Sequence, residues 1–404
     1  MKKRVSKKLP LEGIRVLEMG NFVAAPFAGK IMAEFGAEVI KVEEPVSGDP
    51  LRNWRIMYGH SSIWWYVQAR NKKSITVNLR KAKGQQIIRQ LISRVDVVLE
   101  NFKPGTLEKW GLGYEELKRI NPSIIMARIS GYGQTGPYRD KAGFGSVAEA
   151  IGGLRYLTGY PDRPPVRVGI AIGDLVAGLY AVIGTLMALH VRKEGKERKG
   201  QLIDVALYES VFSLLEGALP EYVLSGVVRE RTGSTLPGVA PSNTYECKDG
   251  KHVVIGGNSD SIFQRLMRVI GREDIANDSQ YANNQGRAKN AEFIDQAIEQ
   301  WTKQHTLEEV LKALDEASVP AGPIYSIRDI VNDIQYKERD MLLPVTLEDG
   351  RNCLFPGIVP KLSDTPGQMK WIGPKLGEHN EEVYTRILGY SRHQLKELKD
   401  EGVI

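Results

Sequence analysis

The sequence predicts an α/β protein, with a mostly parallel sheet in a large domain and a smaller α+β domain after it. Three observations predict this. Short apolar runs alternate with helix-period segments from Gly13 to Arg128. The sixteen residues Leu175 to His190 carry no formal charge, the composition of a buried helix. Near Gly226 periodicity gives way to Gly, Thr and Pro, and then to a hairpin pattern.

Taken in order, Gly13 to Glu18 reads as a strand, Ala24 to Phe35 as a helix with Pro26 in its first turn, and Glu38 to Glu43 as a second strand. Together they have the length of a βαβ unit. Past Gly48-Asp49-Pro50 and the aromatic run Trp64-Trp65-Tyr66, strands are expected at Lys73 to Asn78, Asp96 to Glu100 and Ser123 to Arg128, with a helix at Lys83 to Ser93. Ligands of such sheets bind at the carboxyl ends of the strands. Here those ends are Gly20-Asn21-Phe22-Val23, Asn101 to Gly105 and Gly131 to Gly136. GxGxxG and GxxxxGK[ST] are both absent, which excludes the dinucleotide fingerprint and the P-loop.

The uncharged run is too short for the ~20 residues of a bilayer span, so a helix buried on every side is expected. Asp174 stands at its head, flanked by Gly173 and followed by Gly178. It reads either as a plain N-cap or as a carboxylate presented to a ligand at a strand-to-helix switch. Arg192 to Lys199 reads as a solvated helix end, Gln201 to Ala206 as a strand and Leu207 to Leu224 as one helix. Arg231 to Gly238 reads as a linker, and Asn243 to Ile255 as a hairpin turning at Asp249-Gly250. Helices follow at Ser261 to Ile270, Ala291 to Lys303 and Thr306 to Glu316. The expected organisation is a disordered basic tail (1–10), a large domain (11–224 with 336–404) and a small domain (225–335).

The net charge of +6 comes mostly from Lys2, Lys3, Arg4, Lys7 and Lys8, so neither a nucleic-acid surface nor a membrane partner is expected. No apolar run follows that tail. Cys247 and Cys353 are far apart and the histidines scattered, which fits a reducing cytoplasm and no metal site.

Phe35-Gly-Ala-Glu-Val-Ile-Lys-Val-Glu43, Asn71-Lys-Lys-Ser74, Val98-Leu-Glu-Asn-Phe102, Gly131-Tyr-Gly-Gln-Thr-Gly-Pro137, Gly173-Asp174-xxx-Gly178, Val319-Pro-Ala-Gly-Pro-Ile324 and Leu376-Gly-Glu-His379 occur in one order. In these the chain resembles the class III CoA-transferases, over nearly its whole length. The resemblance implies a Rossmann-like large domain, a small domain and an interlocked homodimer. It implies that Asp174 is the nucleophile, forming an aspartyl–acyl anhydride and then an aspartyl-CoA thioester. No cofactor is held permanently; coenzyme A is substrate and product, and the partners are an acyl-CoA, succinyl-CoA first among them, and a carboxylic acid. CoA contacts carry over to Phe22, Val23, Val77, Arg80, Asn101, Phe102, Lys109, Lys141 and Phe144, and the acceptor loop to Gly256, Gly257 and Asn258.

Departures from the family pattern are Val23 for a gating Gln, which disfavours formyl or oxalyl substrates, Glu44 for an Arg, Phe144 for a Tyr and Gly145 for an acid. A distal substrate carboxylate would be received by Arg52 or Arg70. An acyl-CoA racemase of the same fold needs a His near Phe144, and none lies between His60 and His190. A silent CoA-binding protein is the remaining alternative.

Overall fold

The computed structural model describes residues 8–195 and 197–404, so most of the basic tail lies outside the described residues. The chain forms two compact units. One ends its first stretch at Leu154 and continues in Val168–Glu216 and Asp340–Ile404; the other is Arg155–Arg167 with Gly217–Arg339. The second unit thus starts earlier than residue 225 and takes in a segment the sequence placed elsewhere.

The first unit is built on a six-stranded sheet. Its strands are β1 (Arg15–Glu18), β2 (Glu38–Glu43), β3 (Lys72–Thr76), β4 (Val97–Glu100), β5 (Ile125–Ser130) and β6 (Leu202–Ala206). All pairings are parallel, in the order β3-β2-β1-β4-β5-β6. This is the doubly wound order, and its direction reverses between β1 and β4, where a crevice opens.

Successive strand residues face opposite sides, so apolar runs bury on both. Val16, Val39, Val97 and Ile125 pack with the Ala24–Glu34 helix on one face. Leu17, Ile40, Val98 and Met126 pack with the Ala82–Ile92 helix on the other, where Val383, Tyr384 and Val403 complete the core. Several strand ends shift by one or two residues from expectation, two of them for evident local reasons. The Asn78 N–H bonds to Val403 O and leaves the sheet, and the Asn121 side chain takes the Ser123 N–H in a turn that delays β5.

The Asp174 helix runs from Ile172 to Glu194, longer than its uncharged part. At 23 residues it is long and apolar enough to cross a bilayer, but Ala177, Gly178, Ala181 and Ala188 pack into the core of the unit. A Cβ on Gly178 would lie 2.8 Å from Ala24 O, so glycine is what lets the two helices meet. The expected burial on every side is not met within this chain. Leu179, Ile183 and Met187 are 45%, 45% and 63% exposed.

The single helix expected at Leu207 to Leu224 is two, Leu207–Phe212 and Ala218–Ser225. Pro220 is the reason: mid-helix its ring would strike the carbonyl four residues back, so it is placed in the first turn of a new helix.

The second unit holds a three-stranded antiparallel sheet of Ser242–Glu246, His252–Gly256 and Ala321–Pro323. Gly250 supplies the left-handed turn residue, with φ +72°. Helices Asp260–Val269, Ala291–Thr302 and Leu307–Glu316 cover one sheet face, the last opened by a Thr306–Glu309 capping box.

Candidate active site

Asp174 is the third residue of its helix rather than its cap; Ala171 holds the cap position. The positive end of the helix favours a negative charge there. Its carboxylate rests on the bare Cα of Gly145, the first residue of the Gly145–Ile151 helix. A Cβ on Gly145 would lie 2.7 Å from Asp174 Cγ and 3.1 Å from Oδ1, and closer still to Oδ2. Gly145 is therefore more than the loss of an acid: the carboxylate occupies the space a side chain would need. The supporting loops touch backbone to backbone, since a Cβ on Gly131 would be 2.7 Å from Gly143 Cα. Glu149, fully buried one turn further on, lies against Gly173. Sequence reasoning missed it; an acid in the apolar run Val147 to Ile151 was the available signal.

The second feature is the loop after β1. Asn101 accepts the Asn21 N–H and donates to Asn21 O, both at 2.8 Å, tying together the two strand ends that diverge at the reversal point. Phe22 is left-handed, with φ +64°, and donates its N–H to Asp49 Oδ1 at 3.1 Å. Its ring lies 4.8 Å from Trp54 and 5.8 Å from Phe144, the residue before Gly145. Val23 is buried, and its carbonyl accepts from Gln68.

On the far side of Asn21 opens a cleft lined by Glu44, Val77, Arg80, Phe102 and Trp110 among others. Phe102 and Trp110 meet edge to face at 5.6 Å. Under this wall Glu100 accepts the Phe102 N–H at 2.7 Å. Burial pushes the Glu100 carboxyl up to about 7, against the pull of Arg128. The Glu44 carboxyl is held below its ordinary value, first by the Ser47 N–H and in part by Arg80. Lys109 and Lys141 are exposed and do not line the cleft; Lys141 Nζ sits 3.5 Å from the Tyr138 ring centroid.

Residues 11–380 match the protein family described as CoA-transferase family III. The chain belongs to this family. It is 49% identical over 396 residues to succinyl-CoA–D-citramalate CoA-transferase of Chloroflexus aurantiacus, covering 98% of each chain. It is 42% identical over 400 residues to the beta subunit of succinyl-CoA–L-malate CoA-transferase from the same organism, again covering 98% of each. The crystal structure of a CAIB/BAIF family protein from Brucella suis superposes with a TM-score of 0.81 at 35% identity, over 94% of this chain and 100% of that one.

In this CoA-transferase the first unit therefore brings together Asp174, Phe144, Phe22 and Asn101, with Val77, Arg80 and Phe102 in the adjoining cleft. The expectation for Arg52 and Arg70 is corrected. Arg52 is buried and engaged, by Glu43 through two nitrogens and by Pro374 O. Arg70, also buried, bonds Glu34 and Pro356 O. Neither is available to a substrate carboxylate. Gly256 and Gly257 do not take positive φ. A Cβ on Gly257 would lie 2.7 Å from Leu266 Cδ2 and 3.0 Å from Pro241 Cγ, so this glycine answers to packing within its unit. Asn258 accepts from Arg287 through its backbone oxygen. His379 accepts the Ser74 N–H through Nδ1, and burial lowers its pKa. Among the described residues no group of His, Cys, Asp and Glu is placed to hold a metal ion.

Proposed function

We propose that this CoA-transferase moves CoA from succinyl-CoA to a small carboxylic acid through covalent intermediates on Asp174. The observation that carries the reading is the Asp174 carboxylate, set in the first turn of its helix on a bare glycine, beside an aromatic row that leads to the cleft.

The Asp174 carboxylate attacks the thioester carbonyl, and the C–S bond breaks to release CoA thiolate, leaving a mixed anhydride. The thiolate then attacks the aspartyl carbonyl, giving the aspartyl-CoA thioester and free succinate. The acceptor carboxylate repeats the two steps in reverse, restoring Asp174 and forming the new acyl-CoA. Backbone N–H groups of the glycine-rich loops are suited to the oxyanions.

The wall of Phe102 and Trp110 suits a flat base and Arg80 a phosphate, so the cleft takes the nucleotide end of CoA; Lys109 and Lys141 add surface charge for the phosphates. CoA comes and goes as substrate and product, with no resident cofactor. Succinyl-CoA is favoured because the named relatives are succinyl-CoA enzymes, and their acceptors, citramalate and malate, make hydroxy-dicarboxylates the first acids to test.

A homodimer, interlocked as in the family, is part of the reading, and the reaction is assigned to the cytoplasm. The uncovered apolar face of Leu179, Ile183 and Met187 supports a second copy. A related but different chain is the other outcome to test, since one relative is a beta subunit. The decisive experiment replaces Asp174 with Ala or Asn and seeks a covalent adduct by mass spectrometry after incubation with succinyl-CoA. Loss of transfer and of adduct, with CoA binding retained, is expected. Transfer surviving in either variant refutes the reading.

A further inference from the structure

Four charged side chains are fully buried beneath the β1 loop: Glu18, Lys41, Asp49 and Lys72. Lys41 Nζ lies 2.7 Å from Asp49 Oδ2 and 3.3 Å from Glu18 Oε1, and also donates to Gly20 O. Lys72 Nζ lies 2.7 Å from Glu18 Oε2 and donates to Pro26 O at 2.7 Å. Asp49 Oδ1 accepts the N–H of Phe22 and of Leu51. The cluster continues through buried Glu43, which accepts the Asp49 N–H and pairs with Arg52, so three acids stand against three bases; burial still pulls the Lys72 ammonium down to about 8.

A buried ion cluster is weak as a source of stability, because desolvation offsets its attraction. What this one does is geometric. Its hydrogen bonds converge on the backbone of residues 20–26, the segment that holds Phe22 in a left-handed conformation unfavourable for a bulky side chain. Phe22 in turn rests on Phe144, next to the glycine under Asp174.

We propose that Asp49, backed by Lys41, is a positioning residue for CoA transfer: it fixes the strained backbone of Phe22, whose ring sets the place of Phe144 and so of the Gly145–Asp174 contact. The inference rests on the reading of Asp174 as the acylated carboxylate.

Asp49→Asn keeps an acceptor for the Phe22 N–H and removes the charge facing Lys41. In protein that still melts cooperatively, the single-turnover rate of acylation at Asp174 by succinyl-CoA should fall roughly 10- to 100-fold, the scale of an ångström-sized misplacement. KM for succinyl-CoA should stay within about threefold, because Asp49 does not line the cleft. A purely structural role would lower the melting temperature and leave the rate per folded molecule unchanged, and that result overturns the proposal. Should Asp49→Asn fail to fold, Phe22→Ala tests the same linkage: with the ring gone, acylation at saturating succinyl-CoA should slow to the same extent in protein that still melts cooperatively. An unchanged acylation rate overturns it. An unaltered enzyme that forms no adduct on Asp174 is a separate failure, that of the nucleophile assignment.

Discussion

Replacing Gly145 with Ala should separate stability from activity. The new methyl carbon would sit 2.7 Å from Asp174 Cγ, where 3.4–4 Å is ordinary contact, so the carboxylate must give way by the better part of an ångström. Misplacement of a reacting group on that scale costs roughly 100-fold in rate, or about 2.7 kcal/mol of barrier. Gly145 does not have positive φ, so alanine fits the backbone. Alanine at the start of a helix gains up to about 1 kcal/mol and displacing the carboxylate costs about 1–3 kcal/mol, so the net loss of stability should stay below about 3 kcal/mol. The cleft does not include residue 145, so CoA affinity should be unaltered. Three measurements decide: the melting temperature, the CoA dissociation constant, and the rate of acyl-adduct formation in a single turnover. A variant that forms the adduct at the natural rate would show that the glycine serves packing and not the nucleophile.

Glu100→Gln tests the buried carboxyl. With its folded pKa raised from 4.5 to about 7, Glu100 binds its proton more tightly in the folded state, and its stabilising share fades as pH rises through that window. The Gln variant should therefore gain on the natural chain between pH 5 and pH 8, by on the order of 3 kcal/mol in urea unfolding; a gap that does not change with pH refutes this. Asn101→Ala leaves the Asn21 N–H and C=O without their partners, a cost of about 1–3 kcal/mol for each such group if it stays buried. It should raise KM for succinyl-CoA, and an unchanged KM would remove the loop from the binding site. Ile183→Asp, on the uncovered apolar face, should halve the mass seen by light scattering if a second copy covers it.

The strands were legible in the sequence because a sheet covered on both faces writes near-continuous apolar runs, and β2 was read to the residue. Asp174 stood out at the head of an uncharged helix, but that position alone suits a plain N-cap as well, and only the resemblance singled it out as a nucleophile. The fates of Arg52 and Arg70 were not. Arg52 bonds a carbonyl 322 residues away and Arg70 one 286 away, and no local pattern encodes such a partner. Nor does composition distinguish a helix buried all round from one with an exposed apolar face, so Leu179, Ile183 and Met187 read like their buried neighbours. Gly145 looked like a missing acid because what it makes room for lies on another helix.

The second core face of the large sheet has a consequence for the order of synthesis. Strands β1 to β5 leave the ribosome by Ser130, but the face they share with the Ala82–Ile92 helix is closed by Val383, Tyr384 and Val403. The Tyr384 hydroxyl donates to Thr76 O at 2.6 Å, and the Val403 carbonyl accepts the Asn78 N–H. At ordinary translation rates those residues arrive roughly 15–60 s after β5. During that interval the nascent chain carries an open apolar sheet face, exposed to chaperones and to neighbouring chains, and a stop codon placed before Val383 would make the condition permanent.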